Sequence, residues 1–402
     1  MDLGVQCLTK VGVMHSDRNG RNIYCALCLK KITNKNRSKE HLFPNAIGGR
    51  RKIPDFICGN CNKGFGSQWD KSLTSQLNIF SVFFGISRER GSPPPEIVET
   101  TTGEKLLFHS EGCFSPVSPT CTENKTEQGI QIQIKARTQR EARNMLSGLK
   151  RKYPTIDPEE LLKTAQSKFP YVSDMIHFQT QFGGEDSSRS IIKTVVAFAH
   201  DIGLNPKYFT SMLDYLCYRS GPPDFNFYYG RDLFVERPKG TPLHCISISG
   251  DPKTGLLLAY IEYFGIYRIV VRLSTQYSET SINQSYAINP KTGCSLDVVV
   301  DLHFSDEEIS EIMTNKETLA GLTGQVIADI IQARLIEVFN NEKNKVIHES
   351  LLFAIENCGA KEGDVLTKEH INIISRLFTE RMMPFLMNYF NLRREAEKIS
   401  SN

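Results

Sequence analysis

The sequence predicts an α+β fold, with a small metal-stapled domain at the N-terminus and a larger mixed region that ends mainly in helices. Three observations predict it. Two Cys-x-x-Cys pairs, Cys25/Cys28 and Cys58/Cys61, sit close together in the first part of the chain. Four thiolates in two such pairs suit a closed tetrahedral Zn²⁺ site with no open coordination position, and such a site is structural. In the middle of the chain apolar and polar residues alternate with a period of two: Ile130, Ile132 and Ile134 against Gln131, Gln133 and Lys135. From Ser305 onward the apolar residues recur at helical spacing.

Taken in order, residues 1–92 read as the first domain. Ile23–Tyr24 and Ile53–Ile57 suit short strands, with Pro54 confining the second to an edge. Ser72–Ile86 reads as a helix whose apolar side is Leu73, Leu77, Phe80 and Phe84. Gly91-Ser92-Pro93-Pro94-Pro95 cannot continue it and marks a boundary, leaving residues 96–402 as the second region. That region opens with strands at Leu106–His109 and Ile130–Ala136. Thr138 is placed to cap a helix that runs to Lys152. A further helix spans Glu185–Ile202, with Asp186 or Ser187 as its cap. A phosphate site at its start, built on Arg189 and Lys193, is the less favoured alternative. Strands follow at His244–Ile248, Leu256–Phe264 and Tyr267–Leu273. Helices follow at Ser305–Met313, Leu319–Asn340, Lys345–Asn357 and Thr367–Lys398, the last kinked or split at Pro384.

Composition narrows the function. With 40% hydrophobic and 23% charged residues the chain is an ordinary globular protein. Its longest apolar run, Leu256–Ile261, is too short to span a bilayer. The start, Met1-Asp2-Leu3-Gly4, lacks a basic segment followed by an apolar one, so a cytoplasmic location is expected. Four of the 11 cysteines belong to the paired motif and the others are scattered, which fits reduced thiols. Net charge is only +3, but from Arg21 to Lys71 there are eleven Lys or Arg against Glu40, Asp55 and Asp70. Beside a hydrolytic site such an excess suits a polyanionic substrate. The acidic stretch Leu296–Glu311 is expected to face away from nucleic acid, with Glu307-Glu308 in a solvated first helical turn.

Between the cysteine pairs runs Glu40-His41-Leu42-Phe43-Pro44, then Gly48-Gly49; Asn62 follows Cys61, and Gly64-Phe65-Gly66 comes after it. From Tyr24 to Gly66 this pattern resembles the HNH endonuclease family in its four-cysteine zinc version. The resemblance implies a ββα-metal hairpin-and-helix unit that hydrolyses phosphodiester bonds in nucleic acid, with DNA the expected substrate. It places His41 as general base, the one side chain that titrates near neutral pH. It implies one catalytic Mg²⁺ or Mn²⁺, for which Glu40 and Asn62 offer hard oxygen ligands. Asp70 could add charge to that set, or it could cap the helix near Ser72. Two positions depart from the fuller family pattern: Asp55 stands where many members carry Asn, and Asn62 where many carry His.

Arg50, Arg51 and Lys52 are the candidate phosphate contacts. Gly48-Gly49 suits a tight turn, and Trp69 suits the core. Residues 96–402 are left for substrate selection, a protein partner, or control by a small effector. Defence against foreign DNA is an analogy that fits such a modular nuclease. The rival from another class is a non-catalytic zinc module that binds nucleic acid or protein.

Overall fold

The computed structural model describes residues 23–126, 129–164, 172, 176–177, 180–314 and 323–400. The chain forms two compact units. The first comprises residues 1–96, 108–113 and 179–332, the second residues 97–107, 114–178 and 333–402. The segment up to Glu96 therefore shares its unit with a long stretch from the middle of the chain.

The first unit begins with a two-stranded antiparallel sheet, β1 (Arg37–His41) and β2 (Lys52–Cys58). The first strand lies later than expected: Tyr24 makes only an isolated bridge to Lys31. Pro54 fits within β2 because the sheet has two strands only, so the missing N–H faces no second partner. Helix α1 (Gly59–Phe65) follows directly. A wider π-helical turn, Gly66–Asp70, then leads into α2 (Lys71–Gln76) and α3 (Asn78–Phe84). The expected helix from Ser72 to Ile86 is thus interrupted at Leu77 and preceded by more than a turn of helix.

The expected helix at Glu185 is α4 (Glu185–Asp201), with Gly184 at its N-cap, so neither Asp186 nor Ser187 caps it. Residues Arg189–Ala199 are all buried. A helix covered on every side belongs in the middle of a unit. It packs against β2, the π-helical turn and α2, and also against two strands of a larger sheet.

That sheet contains β3 (Phe225–Phe227), β4 (His244–Asp251), β5 (Leu256–Tyr263), β6 (Tyr267–Ser274), β7 (Ile282–Ile288) and β8 (Ser295–Leu296). Its order is β8-β7-β4-β5-β6-β3, antiparallel throughout. The three strands expected between His244 and Leu273 are its centre. One face packs Tyr260, Val270 and Cys245 against Leu233, Phe234, Val300, Leu302 and Ile309.

The second unit holds the hairpin Thr120–Thr126/Gly129–Lys135 and the helix Gln139–Lys152. Thr138 caps that helix as expected, accepting from the Glu141 N–H at 3.1 Å. Its long helices are Thr323–Glu356, which begins in the first unit, and Lys368–Ser400. The first replaces the two helices expected between Leu319 and Asn357; the start of that expectation lies outside the described residues. Pro384 sits inside the second without splitting it. Phe339 stacks on Phe385 at 5.7 Å and packs on Tyr389 at 5.2 Å, which joins the two. The acidic helix Asp306–Thr314 carries Glu307 and Glu308 in its first turn, as expected. Among the described residues no helix is long and apolar enough to cross a membrane.

Candidate metal centre and active site

The Sγ atoms of Cys25, Cys28, Cys58 and Cys61 all lie within 4.8 Å of one another. The first pair sits in a tight turn closed by Leu29 N–H to Cys25 O at 3.0 Å and Cys25 N–H to Lys30 O at 2.9 Å. The turn needs a left-handed residue, which Leu29 supplies with φ of 57°. In the second pair Cys58 ends β2 and Cys61 lies in the first turn of α1. Four convergent sulfurs, with no fifth donor among the described residues, fit Zn²⁺, which would pin the Cys25–Cys28 turn to the β2–α1 junction.

The other candidate residues divide between the two faces of the hairpin. Successive side chains in a strand point to opposite sides. On β1, Lys39 is exposed, Glu40 is buried and His41 is partly open. His41 pairs directly with Lys52 across the ladder. Its Nε2 has no hydrogen-bond partner among the described residues; the nearest carboxylate, Glu89, is 3.6 Å away, beyond hydrogen-bonding range. Burial, then the charge of Lys52, lowers the His41 pKa from its ordinary value, so the imidazole is neutral near pH 7. Glu89 is a residue the sequence reading missed. It also pairs with Lys52 at 2.8 Å. Nothing in its local sequence marks it; only the fold brings it to His41.

Glu40 points the other way, into the unit. It forms an ion pair with Lys193 of α4, whose side chain is 2% exposed. Asp70 joins the same ammonium at 2.6 Å and accepts from Ser190 Oγ at 2.6 Å. Asp70 makes no cap bond, contrary to one of the two roles considered for it. Burial pulls the Lys193 pKa down, but Asp70 and Glu40 together carry it above its ordinary value, so the ammonium stays charged. The structure therefore brings Glu40 and Asp70 together and separates them from His41. Asn62 directs its amide at Lys39 O at 3.5 Å. In this arrangement the three oxygen donors do not fit a divalent cation, because the two acidic ones are already matched to an ammonium. Arg189, the other residue of the alternative phosphate site, is also buried, against Tyr218 and the Tyr215 carbonyl.

The basic triplet is engaged as well. Arg50 donates to Ser87 O at 2.7 Å. Arg51 pairs with Asp201 and lies 4.9 Å over the Tyr286 ring. Lys52 is shared between His41's surroundings and Glu89. Asp55, in a left-handed conformation with φ of 60°, pairs with Arg37 at 2.6 Å. Trp69 is fully buried, as expected of a core residue, and donates to Tyr218 Oη at 3.2 Å.

The loop after His41 is clamped to the large sheet. Phe43 stacks on His244 at 5.2 Å and meets Tyr263 edge-on at 5.7 Å. Gly49 allows the return of the chain, since a Cβ there would lie 1.8 Å from Phe43 O. Gly48 has φ of 95° and abuts Pro290. His244 Nδ1 accepts from Phe264 N–H at 3.1 Å, so Nε2 carries the proton and donates to Ile47 O at 2.8 Å.

Burial lowers the His244 pKa to about 4 from 6.5. Below pH 6.5 the unfolded chain takes up a proton that the folded one refuses. Stability is therefore expected to fall by about 3 kcal/mol as pH drops from 6.5 to 4. Denaturant titrations at pH 7 and 4.5 check this: His244→Gln should flatten the dependence, and an unchanged slope would exclude the assignment.

Residues 25–78 match the family model described as HNH endonuclease, 54 of 402 residues. No curated protein and no solved structure matches the chain. The N-terminal segment is thus of the HNH endonuclease type, in line with the resemblance of its motif and with its cysteine cluster.

Proposed function

We propose that the protein is an HNH endonuclease that hydrolyses phosphodiester bonds in DNA, with His41 as general base. The observation that carries this reading is the setting of His41: a neutral imidazole in a partly buried residue, its Nε2 shielded from solvent and without a hydrogen-bond partner among the described residues, with Glu89 3.6 Å away, Lys52 across the ladder and Lys39 two residues before it on the strand. Nε2 takes a proton from water as the oxygen attacks phosphorus and the bond to the leaving oxygen breaks. Lys39 and Lys52 hold the phosphate by charge, and Arg50 and Arg51 supply further positive potential beside it.

Mg²⁺ or Mn²⁺ is the proposed cofactor and would neutralise the charge that develops on the phosphate. Glu40, Asn62 and Asp70, the oxygen donors named from the sequence, would be open to it only with Lys193 displaced from the acid pair. Residues 96–402 are proposed to select the substrate or respond to a protein or small effector, and the enzyme to act in the cytoplasm against foreign DNA. The second reading, a zinc module that binds nucleic acid without cutting it, is favoured by that same ion pair, because it occupies two metal donors.

Incubation with plasmid DNA and Mg²⁺ or Mn²⁺ separates the two. Cleavage is expected, and His41→Ala should lower it by about 10²–10⁴-fold with DNA binding retained. DNA binding with no cleavage by either protein would favour the zinc module.

A further inference from the structure

Two of the proposed oxygen donors already hold a cation that belongs to the chain. Lys193 reaches across from α4 and places its ammonium between the carboxylates of Glu40 and Asp70, with its side chain 2% exposed and theirs 5% and 17%. The contact is one of several along a single side of α4. Ser187, Ser190 and Lys193 recur every three residues, so they line that side. Ser187 meets Ser72 at 2.9 Å, Ser190 meets Asp70 at 2.6 Å, and Lys193 meets both acids. The ammonium is therefore in place whenever this side of α4 is docked.

Charge gives the arrangement a direction. Two carboxylates and one ammonium leave a net charge of −1, whereas a divalent ion would balance both acids. A further oxygen is at hand. The Tyr263 hydroxyl is fully buried on the same side, with Thr194 beside it and no hydrogen bond within normal range among the described residues.

We propose that Lys193 is an internal competitor for the divalent cation, so that the Glu40–Asp70 pair takes Mg²⁺ or Mn²⁺ only when the ammonium is withdrawn. The proposal rests on the endonuclease reading for the identity of the ion. Its test reads binding and not cleavage, so each can fail without the other.

In the full-length protein, Lys193→Met keeps the length of the side chain and removes its charge. Free Mn²⁺ is followed by electron paramagnetic resonance during a titration. The variant is expected to bind Mn²⁺ at least about tenfold more tightly than the wild type, because a like charge no longer sits between the ligands. Adding Glu40→Gln should abolish the gain. Equal or weaker binding by Lys193→Met, or a gain that survives the loss of Glu40, would overturn the proposal. If Lys193→Met is unfolded in metal-free buffer, Mn²⁺ must restore its thermal transition. Failure of millimolar Mn²⁺ to do so would overturn it equally.

Discussion

Expressed alone, residues 1–92 are expected to lack a cooperative thermal transition even with zinc bound. In the full chain Leu42, Phe43, Ile47, Trp69 and Leu73 are at most 1% exposed. Partners of three of them lie beyond residue 179. Phe43 rests on His244 and Tyr263, Ile47 O accepts from His244, and Trp69 donates to Tyr218. Re-exposing a large apolar side chain costs about 1.5–3 kcal/mol. Three such losses rival the entire stability of a typical domain, about 5–15 kcal/mol. Glu40 would also lose the Lys193 ammonium it faces in its buried slot, a change that is strongly destabilising when one partner goes and the other stays. The fragment should bind zinc at its knuckles yet melt without a sigmoidal transition by circular dichroism. A fragment that melts cooperatively near the temperature of the full chain would show that the segment is autonomous and that these contacts matter little.

Removal of zinc is expected to have an effect of similar size. A structural Zn²⁺ site contributes about 10–16 kcal/mol of apparent binding free energy in small zinc folds. Here it would join the Cys25–Cys28 turn to the end of β2 and the start of α1, with Cys25 and Cys58 buried and Cys28 and Cys61 partly so. Cys58→Ser should abolish stoichiometric zinc, unfold the hairpin and remove any nuclease activity. Metal analysis should find one zinc per wild-type chain, and X-ray absorption should show sulfur-only ligands at about 2.3 Å. Folded wild-type protein without zinc, or a Cys58→Ser variant with unchanged thermal stability, would contradict the assignment.

Local chemistry was legible in the sequence, and long-range chemistry was not. The cysteine pairs, the Thr138 cap, the helix at Glu185 and the three central strands each depend on residues close together in the chain, and each is found where expected. The strand Arg37–His41 was missed because Arg, Ser, Lys, Glu and His show no apolar alternation; its one buried side chain is an acid. Helix α1 and the π-helical turn were hidden by Gly59, Gly64 and Gly66, which weaken a helical pattern although the segment is held by its neighbours. Glu40-His41 stands out in the sequence as one unit, but as adjacent residues of one strand they serve opposite faces. The partner of Glu40 lies 153 positions away. No local spacing rule could have paired them. Glu89 and Lys193 reach the site only through the fold, one from the loop after α3 and the other, like Arg189, as a buried cation of α4.

The central claim is that His41 is the general base of a phosphodiester hydrolysis, and the pH dependence of plasmid cleavage tests it most directly. Cleavage by the full-length protein should be measured between pH 4.5 and 8.5 at saturating Mn²⁺, beside His41→Ala confirmed to be folded and zinc-loaded. Because burial and Lys52 lower the His41 pKa, the rate is expected to hold through neutral pH and to fall only in acid, below the ordinary imidazole range. The His41→Ala protein should show no such limb and almost no cleavage. Full cleavage by His41→Ala, with the acid limb unchanged, would contradict the account.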